Sequence, residues 1–420
     1  MSDNKGKTSL KSNGDKQFIL SNQCSEHENE SMSGGLPADI DITVAILGHV
    51  SAGKTTLLNA LLKESYGEVS MRKTTAGINY FRLKQNYTQP PFDNFDLIHR
   101  SLKFKEVSFR NAKSILNDIT NLNAELRQHP RIQEKFFEVK LEECLLPMMK
   151  GTELIIVDVP GLNEAGTSKM YLDYVEKCWE KFDCVIIVID SLQGVNTEEF
   201  TKEQISLLKL VEKNTKAKLP FPVIALCNKV DDPSNEETRI LLGETQSEVY
   251  NVFQNTEKFD VRFVSISARN AFMFRATTNM TRDQFQQLDP NIIHSIGKGE
   301  FGQKWQKMSN DEKFNAIYEI INDNKEYQER MRNCNFGSFL DTLNDLIGEK
   351  VQKKIIQKQI MIEAETPISD APSIELISIL RKTKLIGSPP GLIQHITDVF
   401  WKKAEVYIKG KIRAFKKDPS

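Results

Sequence analysis

The octapeptide Gly48-His49-Val50-Ser51-Ala52-Gly53-Lys54-Thr55 constrains this chain more than any other stretch of it. It follows Ile42–Leu47, a short apolar run rich in β-branched residues that reads as a buried strand. It precedes Thr56–Lys63, where Leu57, Leu58, Leu61 and Leu62 recur at helical spacing. Strand, glycine-bounded loop and helix together form the setting in which such a loop cradles phosphate. Glycines let backbone N–H groups turn inward around phosphate oxygens, and the helix N-terminus adds the positive end of its dipole. Lys54 is then placed to reach β- and γ-phosphates, and the Thr55 hydroxyl to ligate Mg²⁺. Gly48, Ser51, Ala52, Gly53 and Thr56 complete the candidate cradle.

Three later segments keep to the same order of strand followed by polar turn. Leu154–Val157 reads as a buried strand ending in Asp158-Val159-Pro160-Gly161. Asp-x-Pro-Gly alone is an ordinary turn sequence. Downstream of a phosphate loop it offers a carboxylate, Asp158, to hold Mg²⁺ through water, and the Gly161 N–H to sense a γ-phosphate. Pro222–Cys227 leads into Asn228-Lys229-Val230-Asp231. A carboxylate at Asp231 can accept from guanine N1–H and the exocyclic amine, whereas adenine would leave that acceptor unpaired. Asn228 braces the loop in this reading, and the Lys229 stem lies over the base. Val261–Ile266 ends in Ser267-Ala268-Arg269, where small residues let a backbone N–H approach guanine O6. The ligands expected are therefore GTP or GDP with Mg²⁺.

Arg72-Lys73-Thr74-Thr75-Ala76-Gly77-Ile78 supplies a switch threonine at a suitable distance from the loop. Thr75 is favoured over Thr74 because Gly77 beside it gives the segment freedom.

Two family resemblances compete. Gly48-His49-Val50 with Gly53-Lys54-Thr55-Thr56-Leu57 is similar to the phosphate loop of translational GTPases, but that family has Asp-His where Ser51-Ala52 stand and a histidine in place of Leu162. Ser51-Ala52-Gly53-Lys54-Thr55-Thr56-Leu57-Leu58-Asn59-Ala60-Leu61-Leu62 with Asp158-Val159-Pro160-Gly161-Leu162-Asn163 more strongly resembles the dynamin superfamily. About a hundred residues separate Lys54 from Asp158, as in dynamin-like proteins. In that interval Ser108–Arg127 has a helical pattern, and Phe136–Leu146 reads as a strand pairing with Leu154–Val157. The resemblance implies GTP hydrolysis to GDP and phosphate, with Ser51, Lys54, Thr75 and Gly161 as catalytic residues and Thr55, Thr75 and Asp158 around Mg²⁺. It further implies pairing of two GTPase domains as a homodimer, and work on membranes. Where dynamins place a water-orienting glutamine stands Val50, and Leu162 offers no side-chain donor either. A slow regulatory switch that recruits partners in its GTP form is the alternative.

The fold class expected is α/β, a mostly parallel sheet with helices on both faces and a short helical region after it. Residues 1–39, rich in Ser, Asn, Lys, Glu and Gly, read as a disordered segment, 40–335 as the GTPase domain and 336–420 as a helical appendage. Apolar residues recur at helical intervals over Asn310–Met331 and Phe339–Ile360, with further helices expected over 373–383 and 392–414. The basic-aromatic end, Lys402 to Lys417 with Phe400, Trp401, Tyr407 and Phe415, fits either contact with anionic lipid or a solvated helix. Six scattered cysteines without a Cys-x-x-Cys pair read as reduced thiols of a cytoplasmic protein. A net charge of −1 gives no reason to expect nucleic acid as a partner.

Overall fold

The structure is a computed structural model that describes residues 40–67, 75–85, 111–141, 144–148, 152–164, 166–191, 207–211, 220–253, 258–277, 280–288, 290–352 and isolated positions beyond. The expectations for residues 1–39, for Arg72–Thr74, for the helix over 373–383 and for the basic-aromatic end lie outside the described residues, and of the helix expected over 392–414 only Gln394 and Asp398 are described, both helical.

Seven strands form one sheet: β1 (Ile40–Gly48), β2 (Ile78–Gln85), β3 (Glu134–Leu141), β4 (Thr152–Asp158), β5 (Cys184–Asp190), β6 (Phe221–Asn228) and β7 (Phe259–Ser265). Their order is β3-β2-β4-β1-β5-β6-β7. Every pairing is parallel except β2 with β4. The α/β class expected from the sequence is thus the class observed, with helices on both faces and a helical C-terminal region.

The central strands are buried on both sides, which explains why they read as nearly continuous apolar runs. Ile42, Val44 and Ile46 face a core completed by α1 (Lys54–Leu62), α2 (Ala112–Gln128) and the helices at Ala268–Thr277, Asn310–Asp323 and Phe336–Ile347. Ala45 and Leu47 face the opposite core, filled by α3 (Ser168–Cys178), by residues 207–211 and by Val249 of α4 (Glu236–Val252).

The expected pairing of the 136–146 region with β4 is corrected. β2 lies between them: Phe81 is in register with Phe137 on one side and Ile156 on the other. β2 escapes a hydrophobicity reading because Asn79, Arg82 and Lys84 interrupt it. Arg82 is nevertheless buried, since ion pairs at 3.0 Å to Asp41 of β1 and Glu153 of β4 neutralise it. Such pairing is what makes a buried guanidinium tolerable.

Within the described residues both C-terminal helical patterns are interrupted. Asn324 breaks the first by leaving helical geometry and accepting from Tyr327 N at 3.0 Å, which starts a second helix. Gly348, at φ −69° and ψ 177°, ends the helix that begins at Phe336.

Candidate functional site

The parallel strands β1, β4, β6 and β7 all point the same way, so the four polar turns seen in the sequence emerge at one rim of the sheet. Ligands of open α/β sheets bind outside such carboxyl ends. Register keeps the turns adjacent: Ile46 pairs with Asp158, and Cys227 with Ser265.

After β1 the chain wraps through Gly48, at φ 153°, and Ser51, at φ 64°, to Gly53, at φ 98°. Gly53 must be glycine for space as well as for φ: a Cβ there would stand 2.1 Å from Asn228 Nδ2. It opens α1 without any side-chain cap, so the first amides of that helix, at Lys54, Thr55 and Thr56, remain available to an anion. Lys54 is buried, and its Nζ donates to the His49 carbonyl at 2.8 Å, closing the loop on itself. Burial lowers its pKa to about 8, partly offset by the charges of Asp158 and Glu164. Ser51 is exposed at the loop's outer turn.

Thr55, Thr75 and Asp158 converge beside the loop. The two hydroxyl oxygens lie 3.1 Å apart, and Thr55 Oγ1 reaches Asp158 Oδ2 at 3.5 Å. Asp158 is buried, which raises its pKa to about 6, with Lys54 and the threonine hydroxyls pulling it back. Among the described residues its Oδ1 has no hydrogen-bond partner. A buried, unpartnered carboxylate oxygen beside two hydroxyls is a hard-oxygen set that fits Mg²⁺, which takes one or two carboxylates and completes its shell with water and phosphate oxygens. Gly161 is buried against Val50. Leu162 N donates to the Gly48 carbonyl at 3.2 Å, while its side chain, 3% exposed, turns into the apolar core below.

The base-side loops are cross-braced. Asn228 donates to the Ala52 carbonyl and accepts from Ala268 N, both at 2.9 Å, joining the turns after β1, β6 and β7. Lys229 takes a left-handed φ of 68°, and its Nζ meets Asp190, at the end of β5, at 2.5 Å. Asp231 is exposed at the rim and accepts from Ser267 Oγ. Ser267 N donates to the Cys334 carbonyl at 3.1 Å, and Asn335 Nδ2 to the Ser265 carbonyl at 2.8 Å, so a distant turn holds this loop from behind. The Arg269 side chain departs from the cluster and donates to Ser295 at 3.0 Å.

The structure brings Lys54, Thr55, Thr75, Asp158, Asn228, Asp231 and Ser267 to one rim, while Ser51 stands exposed on the outer turn of the loop and the Arg269 guanidinium turns aside. Sequence reasoning missed Asp190, which a strand ending in a lone carboxylate could have flagged. It also missed Asn163, whose Oδ1 accepts from Val50 N, and Asn123 and Tyr171, which hold the segment after Thr75.

A family model described as elongation factor Tu GTP binding domain matches residues 41–347. An uncharacterized protein of Acanthamoeba polyphaga mimivirus is 27% identical over 158 residues, covering 36% of this chain and 24% of that protein. Among solved structures, Era bound to MgGDPNP and a 16S ribosomal RNA segment is 18% identical over 55% of this chain and 52% of its own, with a TM-score of 0.30. The S. cerevisiae Ski7 GTPase-like domain, bound to GDP and inorganic phosphate, is 21% identical over 64% of this chain and 52% of its own, with a TM-score of 0.32. This chain thus spans about half of those structures and about a quarter of the viral protein.

The family match overturns the dynamin-like expectation. That expectation weighed Ser51-Ala52, Leu162 and the long interval before Asp158. Ser51 is an exposed turn residue, Leu162 is a core residue held by its amide, and the interval contains α2 and β3, an insertion at the sheet edge.

Proposed function

Because the chain belongs to the elongation factor Tu GTP binding domain family, we propose that it is a GTP-hydrolysing switch with slow intrinsic turnover. The observation that carries this reading is the unpartnered Asp158 Oδ1 beside the Thr55 and Thr75 hydroxyls at the mouth of the phosphate loop. Lys54 is charged at neutral pH and exchanges the His49 carbonyl for β- and γ-phosphate oxygens when nucleotide enters. The open amides at the start of α1 take the remaining phosphate oxygens. Mg²⁺, held by Thr55, Thr75 and, through water, Asp158, would neutralise charge on the β- and γ-phosphates. Asp231 accepts the guanine N1–H and amine, with Ser267 fixing the carboxylate.

Slow turnover follows from what flanks the γ-phosphate position. Val50 has no polar side-chain atom, and Leu162 is committed to the core. Orientation of the attacking water then falls to backbone groups and Thr75, or to a partner molecule. This supports a switch that persists in its GTP form.

Base selection tests the reading. Asp231→Asn should weaken GTP binding by about a hundredfold and favour xanthosine triphosphate, since the Asn NH2 would face guanine's amine donor against donor but can donate to the carbonyl that xanthine carries there, while the Asn oxygen still accepts N1–H. Unchanged GTP affinity in that variant refutes the assignment.

A further inference from the structure

We propose that Asn123 of α2 and Tyr171 of α3 are positioning residues for Thr75, fixing the segment behind it so that its hydroxyl stays beside Thr55. The assignment rests on the reading of Thr75 as a switch threonine. Asn123 is buried, and its Oδ1 accepts from two successive amides, Ala76 N at 2.9 Å and Gly77 N at 3.2 Å. Tyr171 Oη donates to the Ala76 carbonyl at 2.7 Å. Both polar groups of residue 76 are therefore held by side chains, and these come from different helices. Burial pushes the Tyr171 phenol up to about 12, so it stays a donor throughout the physiological range.

Packing reinforces the clamp. Ala76 sits in a small apolar cluster with Leu122 and Leu126, the residues flanking Asn123 on the same face of α2. A Cβ on Gly77 would stand 2.8 Å from Leu122 Cδ2, so the strand entry lies directly on the helix. Just upstream, Thr75 Oγ1 is 3.1 Å from Thr55 Oγ1.

The two helices differ in what they report. α2 belongs to the insertion between Lys54 and Asp158, and α3 follows the Asp158–Gly161 turn. A shift of α3 is thus transmitted through one hydroxyl to the backbone next to Thr75. Ordinary structural glue would stabilise the fold without favouring one nucleotide over another. A positioning role must discriminate the triphosphate with Mg²⁺ from the diphosphate.

The experiment uses the full chain as Tyr171→Phe, Asn123→Ala and Asn123→Asp. Affinities for a non-hydrolysable GTP analogue and for GDP are measured across a Mg²⁺ titration. Tyr171→Phe, which removes only the hydroxyl, should weaken the analogue about fivefold and raise the half-saturating Mg²⁺, with GDP affinity unchanged. Asn123→Ala should exceed that effect, and Asn123→Asp, which keeps the accepting oxygens, should recover most of it. Equal loss for analogue and GDP, or no loss for either, overturns the assignment even where melting temperature falls. A parent chain that binds no analogue with Mg²⁺ overturns the switch reading itself, and this assignment with it.

Discussion

The backbone amide of Val50 donates to Asn163 Oδ1 at 2.8 Å, joining the phosphate loop to the turn after Asp158 across 113 residues of sequence. Together with the bond from Leu162 N to the Gly48 carbonyl, it sets where Gly161 stands relative to the loop. Asn163→Asp keeps an acceptor for the Val50 amide but adds a negative charge beside the proposed γ-phosphate position. GTP affinity should fall about tenfold more than GDP affinity, as close like charges repel. Competitive binding of the two nucleotides reads this out, and an unchanged GTP-to-GDP ratio counts against it.

Asn228 is the brace shared by three loops. Asn228→Ala leaves the Ala52 carbonyl and the Ala268 amide without their partner, in a position where Asn228 itself is 2% exposed. Loss of stability of about 2–4 kcal/mol is expected from two unmade buried hydrogen bonds. Chemical denaturation of the nucleotide-free protein measures it. A loss below about 1 kcal/mol would show that water or relaxation replaces the brace.

A histidine introduced at 162 would not hasten hydrolysis. The Leu162 side chain shares an apolar cluster with Val159, Tyr171 and Val175. Leu162→His buries an imidazole there, at a cost of about 2–4 kcal/mol. Single-turnover hydrolysis should be no faster than in the parent, while the melting temperature drops. A tenfold acceleration would mean that the turn rearranges when GTP binds.

Cys227, at the end of β6, is fully buried, and burial followed by the nearby Asp190 charge pushes its thiol up to about 12. The folded chain keeps this proton above the ordinary value of 9.0, while an unfolded chain releases it. Stability from this group is therefore intact below that value and declines as pH rises from it toward 12. At pH 8 roughly one thiol in ten thousand is ionised, so alkylation needs unfolding. Iodoacetamide should label the exposed Cys144 in the folded protein, with Cys227 modified only in denaturant. Mass spectrometry of the digested protein distinguishes the two.

Much of the rim was legible from the chain alone because its chemistry is written in local strings. Lys54, Thr55, Asp158, Asn228 and Asp231 all sit at or within a few residues of the carboxyl end of an apolar strand, and parallel pairing brings those ends together. What stayed hidden depends on contacts distant in sequence. Arg82 looks like a solvent residue until Asp41 and Glu153 are placed beside it. Asn123 and Tyr171 are unremarkable letters in amphipathic helices until the backbone of Ala76 is laid between them. Ser51 and Leu162, which point away from the family the chain belongs to, stand respectively on an exposed turn and in the apolar core.

The bond from Ser267 N to the Cys334 carbonyl carries a lesson about portability. Every string that names a guanine nucleotide is complete by Arg269. A segment excised there would carry the full vocabulary yet lack the turn at 334–335 that steadies Ser267, and through it Asp231. Transplanting base selectivity into another scaffold thus requires exporting the helices after β7 as well, or supplying a substitute acceptor behind that serine.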